Sequence, residues 1–158
     1  MNYHFPKLDH SLYVISTPIG NIQDISNRSL KILSESDYIL CEDTRVTSKL
    51  LNFYNLKKKL ISFHVSNEKI KIQRIIDDLK CKKIISLVSD AGTPTLSDPG
   101  KSLISKCHDH GIKVIPVPGA SAILSAVSVS GFTDNFYFCG FFPKKNSEIE
   151  NYLSKIKL

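Results

Sequence analysis

Residues 89–100 read SDAGTPTLSDPG, a run with two Asp, two Gly, two Pro and no basic residue. Several loop chemistries can be tested against it. A phosphate-cradling P-loop needs GxxxxGK[ST], and neither this run nor TPIGN (17–21) carries the lysine. The dinucleotide fingerprint GxGxxG is absent after the first strand-like run. A phosphoryl-aspartate hydrolase would place Asp-x-Asp ahead of Gly92-Thr93, but Ala91 stands where the second aspartate is required. A calcium loop fails as well, because Asp90 and Asp98 are out of register and no closing Glu follows. What remains is a loop offering backbone N–H and C=O groups, small side chains and one carboxylate, Asp90. Such a surface suits a flat neutral ring and a zwitterionic tail better than a polyphosphate. The competing reading is a turn in which Asp98-Pro99-Gly100 caps the next helix. It accounts for the second half of the run and less well for Ser89 to Pro94.

Elements must position such a loop, and the sequence supplies a regular rhythm of them. Five short β-branched or aromatic runs, LYVIS (12–16), DYILC (37–41), KLISFH (59–64), KIISLV (83–88) and KVIPV (113–117), read as strands. Between them SLKILSESD, TRVTSKLLNFYN, SNEKIKIQRIIDDLK and SLISKCHDHG carry apolar residues at helical spacing, and Gly111 sits where a helix-terminating glycine belongs. Strands alternating with helices of this length need crossovers, which predicts a mostly parallel five-stranded sheet flanked by helices, an α/β fold. Ligands of such sheets bind beyond the carboxyl ends of the strands. The loops at that edge are TPIGN, EDTR (42–45), HVSNE (64–68), SDAGTPTLSDPG and PGAS (118–121). After Gly131 the rhythm changes: FYFCGFF (136–142) reads as a strand, and SEIE (147–150) as a capping box opening a helix to Leu158. The expected organisation is an α/β domain over 1–131, then a linker and the first strand and helix of a truncated second α/β domain over 132–158.

Composition narrows the class. A chain of 158 residues with 42% apolar content supports one compact domain. Its apolar runs are too short to span a bilayer, and MNYHFPKLDHS lacks the layout of a signal peptide, so a cytoplasmic protein with no membrane partner is expected. Cys41, Cys81, Cys107 and Cys139 stand singly, which suits neither a zinc knuckle nor a disulfide framework, so no metal is expected. His108-Asp109-His110 reads as a solvated helix end. The net charge is +6, carried by 21 basic residues of which only Arg28, Arg45 and Arg74 are arginine. An anionic partner such as RNA fits that excess, and so does a codon bias toward lysine.

Taken in order, LYVISTPIGN, CEDTR, SFHVSNE, LVSDAGTPTLSDPG, VIPVPGASAILSAVSVSG and FYFCGFFPKK resemble the tetrapyrrole methylase superfamily over roughly Leu12 to Lys145. STPIGN, EDTR and SDAGTPxxSDPG together are similar to the branch that methylates ribose 2′-hydroxyls in the RNA of the bacterial small ribosomal subunit. One departure is Thr95, where that branch usually has glycine. The resemblance implies S-adenosyl-L-methionine as cofactor, a cytidine of 16S rRNA as substrate and a homodimer as the assembled form. Carried over position by position, it implies a cofactor site made of Pro18, Ile19, Gly20, Asp90, Ala91, Gly92, Thr93, Pro94, Ser121 and Ala122. A competing reading makes PGASAILSA a small-residue helix packed tightly on the sheet, with Ala122 facing it.

Methyl transfer to a ribose hydroxyl asks for alignment and for a group that takes the hydroxyl proton. Among Glu42, Asp43, His64, Glu68 and Asp90, the EDTR loop is favoured: Glu42 or Asp43 as proton acceptor and Arg45 gripping a phosphate or ribose. The alternative is that Asp43 caps the helix starting at Thr44 while Glu42 pairs with Arg45. Two other functional readings compete, a catalytically silent remnant that cannot close on its cofactor and a methylase acting on a small tetrapyrrole.

Overall fold

The computed structural model describes residues 7–95, 98–132, 135–138 and 140–155. Five strands, β1 (Leu12–Ile15), β2 (Tyr38–Cys41), β3 (Leu60–Ser62), β4 (Ile85–Val88) and β5 (Val114–Val117), form one sheet in the order β3-β2-β4-β1-β5. Every pairing is parallel, with Leu12 opposite both Ile85 and Val114. The strands are short and rich in Ile, Leu and Val because a parallel sheet covered on both faces needs apolar side chains on both. β2 and β4 are buried at every position.

The helices are α1 (Asn27–Glu35), α2 (Thr44–Phe53), α3 (Glu68–Lys80), α4 (Lys101–Asp109), α5 (Ala122–Ser130) and α6 (Asn146–Lys155). From β1 through β2 to β3 the chain moves one way across the sheet; from β3 through β4 to β5 it moves back. Right-handed crossovers then put the first two helices on one face and the next two on the other. The cores agree. Ile32, Leu33 and Leu51 of α1 and α2 pack with Tyr13, Ile15 and Ile39, while Ile75, Ile76, Leu103 and Cys107 of α3 and α4 pack with Leu12, Leu40 and Leu87. Alternate residues of each strand thus enter opposite cores, as the pleat requires. One polar pair sits inside: fully buried Ser86 of β4 is satisfied by the Ser36 hydroxyl at 2.6 Å.

Helix ends follow local chemistry. Ser26 accepts the Ser29 N–H at 3.0 Å at the start of α1. Gly111, at φ +64°, closes α4: the Ile112 N–H reaches the Cys107 carbonyl at 2.8 Å and the Gly111 N–H that of His108 at 3.0 Å, the two bonds of a Schellman motif.

Three expectations are corrected. FYFCGFF forms no strand at its described positions and pairs with none of the five strands, so its backbone has no ladder to join; Cys139 lies outside the described residues. Ser147 is inside α6 rather than capping it, since the helix begins at Asn146, and 156–158 again fall outside. The helix after PGAS is not packed on the sheet: α5 has no buried residue, and Leu124 and Val129 are 61% and 84% exposed. No described helix is long and apolar enough to cross a membrane.

Candidate active site

β1 and β4 are neighbours whose following segments leave toward opposite faces, which opens a crevice at their carboxyl ends. Their loops are clasped across it. Thr17 and Gly92 exchange two backbone hydrogen bonds, 2.9 and 3.0 Å, and the Thr17 hydroxyl donates to the Ser89 carbonyl at 3.1 Å. The Ser16 and Thr93 hydroxyls meet at 2.8 Å. Gly92 holds φ +79°, a left-handed conformation in which a side chain would be strained. The PGAS loop closes the third side, where a Cβ on Gly119 would lie 3.0 Å from that of Ser16.

Two cavities flank the β4 loop. The larger, about 430 Å³, gathers Ile19, Ala91, Gly92, Thr93, Ser121 and Ala122 from the expected cofactor set. Ile123, Asp98, Phe138 and Phe141 complete its wall. Pro18, Gly20 and Asp90 instead face the second cavity, about 290 Å³, against Val46, Thr47 and Lys49 of α2. Pro94 borders neither. Ser121 has a local task too, accepting the Leu124 N–H at 3.4 Å as the cap of α5.

The carboxylates sort by what they touch. Asp43 caps α2 through the Arg45 N–H at 2.8 Å, and its other oxygen holds the Arg45 guanidinium at 2.5 Å. These bonds bring its carboxyl down to about 2. Arg45 therefore pairs with Asp43, not with Glu42, and its side chain is 85% exposed. Glu42 is half-buried with no hydrogen-bond partner among the described residues. Burial, then the negative charges of Asp90 and Asp98, push its carboxyl above the usual range. Asp90 accepts the Asp43 backbone N–H at 3.0 Å, so it fastens the β2 loop to the β4 loop.

Asp98 does not cap α4 as the turn reading expects. Gly100 is the capping position, and its N–H goes to Glu68 Oε2 at 3.3 Å while the Ser102 hydroxyl donates to Glu68 Oε1 at 2.6 Å. Glu68 is thus buried as the cap of a neighbouring helix, away from proton transfer. Asp98 bonds Ser89 and lines the larger cavity, its carboxyl raised chiefly by burial. Ser97, the first residue of that expected turn, lies outside the described residues. His64 is tied by both ring nitrogens: the Asn67 amide donates to Nε2 at 2.8 Å, which leaves Nδ1–H for the Ser66 hydroxyl at 2.7 Å. No three metal-ligating side chains converge among the described residues.

Sequence reasoning missed Asp98, Phe138 and Phe141 at the larger cavity. Asp98 had a signal, since it follows the same strand as Asp90; the two aromatics reach the wall only through tertiary placement.

Residues 11–139 match the family model described as Tetrapyrrole (Corrin/Porphyrin) Methylases. The chain belongs to the tetrapyrrole methylase family. Within this family it is 44% identical over 148 residues to the Ribosomal RNA small subunit methyltransferase I of Halalkalibacterium halodurans, covering 93% of this chain and 51% of that protein. The protein of the same name from Thermotoga maritima is 52% identical over 134 residues, 84% of this chain and 60% of that one. The chain thus spans about half the length of the curated relatives it matches. Among solved structures, diphthine synthase superposes with a TM-score of 0.60 at 20% identity, over 77% of this chain and 49% of that one. Uroporphyrin-III-C-methyltransferase from Thermus thermophilus gives 0.58 at 19%, over 80% and 54%. These likenesses establish a shared fold.

Proposed function

We propose that the full-length protein transfers a methyl group from S-adenosyl-L-methionine to the 2′-hydroxyl of a cytidine in 16S rRNA of the small ribosomal subunit. The observation that carries this reading is the coverage of 84–93% of the chain by relatives that share one rRNA-methyltransferase name. The cytoplasm as the place of action and a homodimer as the working form belong to the same proposal.

The larger cavity suits the cofactor. Its volume of about 430 Å³ falls in the range of about 300–1,000 Å³ usual for small-molecule sites. Ile19, Ile123, Phe138 and Phe141 offer apolar walls for a flat ring, and the 91–93 backbone with Asp98 offers polar partners for a zwitterion. When bound, S-adenosylmethionine supplies a methyl group activated by its sulfonium. This chain's own residues orient and deprotonate. Glu42, within electrostatic reach of both Asp90 and Asp98, takes the hydroxyl proton; its raised carboxyl makes it the stronger base of the EDTR loop. Asp43, held at about 2 and occupied twice over, positions Arg45 toward solvent, where it meets a phosphate.

Labelled S-adenosylmethionine incubated with small subunits lacking the modification tests this reading. The full-length protein is expected to label the rRNA at a ribose. Label on a porphyrinogen with none on the subunits would overturn the assignment.

A further inference from the structure

α3 and α4 lie side by side on one face of the sheet, and a groove of about 640 Å³ runs between their outer surfaces. Lys69 and Gln73 of α3 and Lys101, Ser102, Ser105 and Lys106 of α4 line it. Its one acid, Asp109, is paired with Lys106 at 3.0 Å. Lys69 and Lys101 are exposed and have no acidic partner among the described residues. Both stand in the first turns of their helices, where the exposed N–H groups oppose a cation. Helix stability therefore does not account for two lysines there.

Their placement is fixed by the bond that joins the two helix starts. Glu68, next to Lys69, takes the N–H of Gly100, next to Lys101, at 3.3 Å. Two free ammonium groups are thereby set on the same rim. Because α3 and α4 follow β3 and β4, that rim lies at the carboxyl edge of the sheet, beside the loops that hold Glu42, His64 and Asp98. In each of the other lysine clusters one member is engaged: Lys58 donates to the Ser36 carbonyl at 2.9 Å, Lys83 pairs with Asp78 at 2.6 Å and Lys145 with Glu148 at 3.6 Å.

We propose that the α3–α4 groove is the track for the phosphodiester backbone of the substrate RNA, with Lys69 and Lys101 as its phosphate contacts at the end nearest the site. This rests on the RNA-methylating reading. Lysines as point charges, with the exposed Ser105 in the same groove, suit a repeating anion that is held without base selection.

The test uses the full-length protein and a short, end-labelled single-stranded RNA, with the dissociation constant measured across a range of KCl concentrations. Each phosphate contact on a single strand contributes about 0.7 to the slope of log K against log salt, so Lys69→Ala/Lys101→Ala is expected to flatten that slope by about 1.4. Affinity for S-adenosylmethionine should stay at the wild-type value, and Lys69→Arg/Lys101→Arg should keep the wild-type slope. An unchanged slope in the alanine pair, with wild-type protein binding normally, would overturn the groove alone. Absence of salt-dependent RNA binding by the wild type would overturn the groove together with the RNA reading beneath it.

Discussion

Gly100→Ala tests whether the end of SDAGTPTLSDPG is built for folding rather than for ligand. Gly100 caps α4 at φ +120°, and a Cβ there would lie 2.6 Å from Leu87 Cδ2 and 3.2 Å from Thr95 Cγ2. Leu87 is 1% exposed in the central strand and cannot withdraw without disturbing the core beneath α3 and α4. A side chain in the left-handed region costs about 1–2 kcal/mol, and overpacking a filled core about 1–3 kcal/mol. Alanine recovers about 0.4–1 kcal/mol by restricting the unfolded chain. At the centres of these ranges the net expectation is a loss of about 3 kcal/mol. In urea unfolding followed by circular dichroism, with a slope of about 2 kcal/mol/M, the midpoint should fall by about 1.5 M. Gly111→Ala is the control, because Gly111 shares a positive φ, +64°, but has open space at its Cβ position. It should show only the smaller backbone effect. Equal shifts for the two variants, or no shift for Gly100→Ala, would refute the clash with Leu87.

Glu42→Gln should slow methyl transfer by about 10²–10⁴-fold while leaving cofactor affinity unchanged, read from single-turnover transfer and calorimetry. Since the Glu42 carboxyl is raised, the working base is its ionised form, so wild-type activity should fall as pH drops and should begin to do so above the ordinary glutamate range. Asp43→Ala should lower the thermal unfolding midpoint at neutral pH by removing the cap of α2. The Asp43 contribution is complete above the ordinary aspartate value of 3.8 and fades as pH falls through about 2, so wild type and variant should converge there.

The strands were legible because buried parallel strands are apolar on both faces, and all five lie within the runs read from sequence, trimmed at their ends. FYFCGFF shows the limit of the same signal: its residues favour extended backbone, but a strand exists only where a neighbour completes the ladder. Asp43 as a cap was readable from its position before Thr44, whereas the choice of Arg45 between Asp43 and Glu42 depends on how the turn aims two adjacent carboxylates. The cap of α4 was hidden for another reason. Glu68 comes from 32 residues upstream, so no local pattern marks it, and Asp98 was the natural local candidate. Thr95 adopts φ +74°, the conformation for which glycine is the common solution, so the departure noted in the sequence is a strained one.

The clasp between Thr17 and Gly92 joins residues 75 positions apart, and it depends on β4 entering between β2 and β1. Closing so long a loop is an entropic debt that local structure cannot settle in advance. During synthesis the first strand and its loop must therefore wait, unpartnered on that side, until the chain past Gly92 is available. The binding crevice therefore exists only once β4 has taken its place between β2 and β1, so its presence certifies that the centre of the sheet has closed.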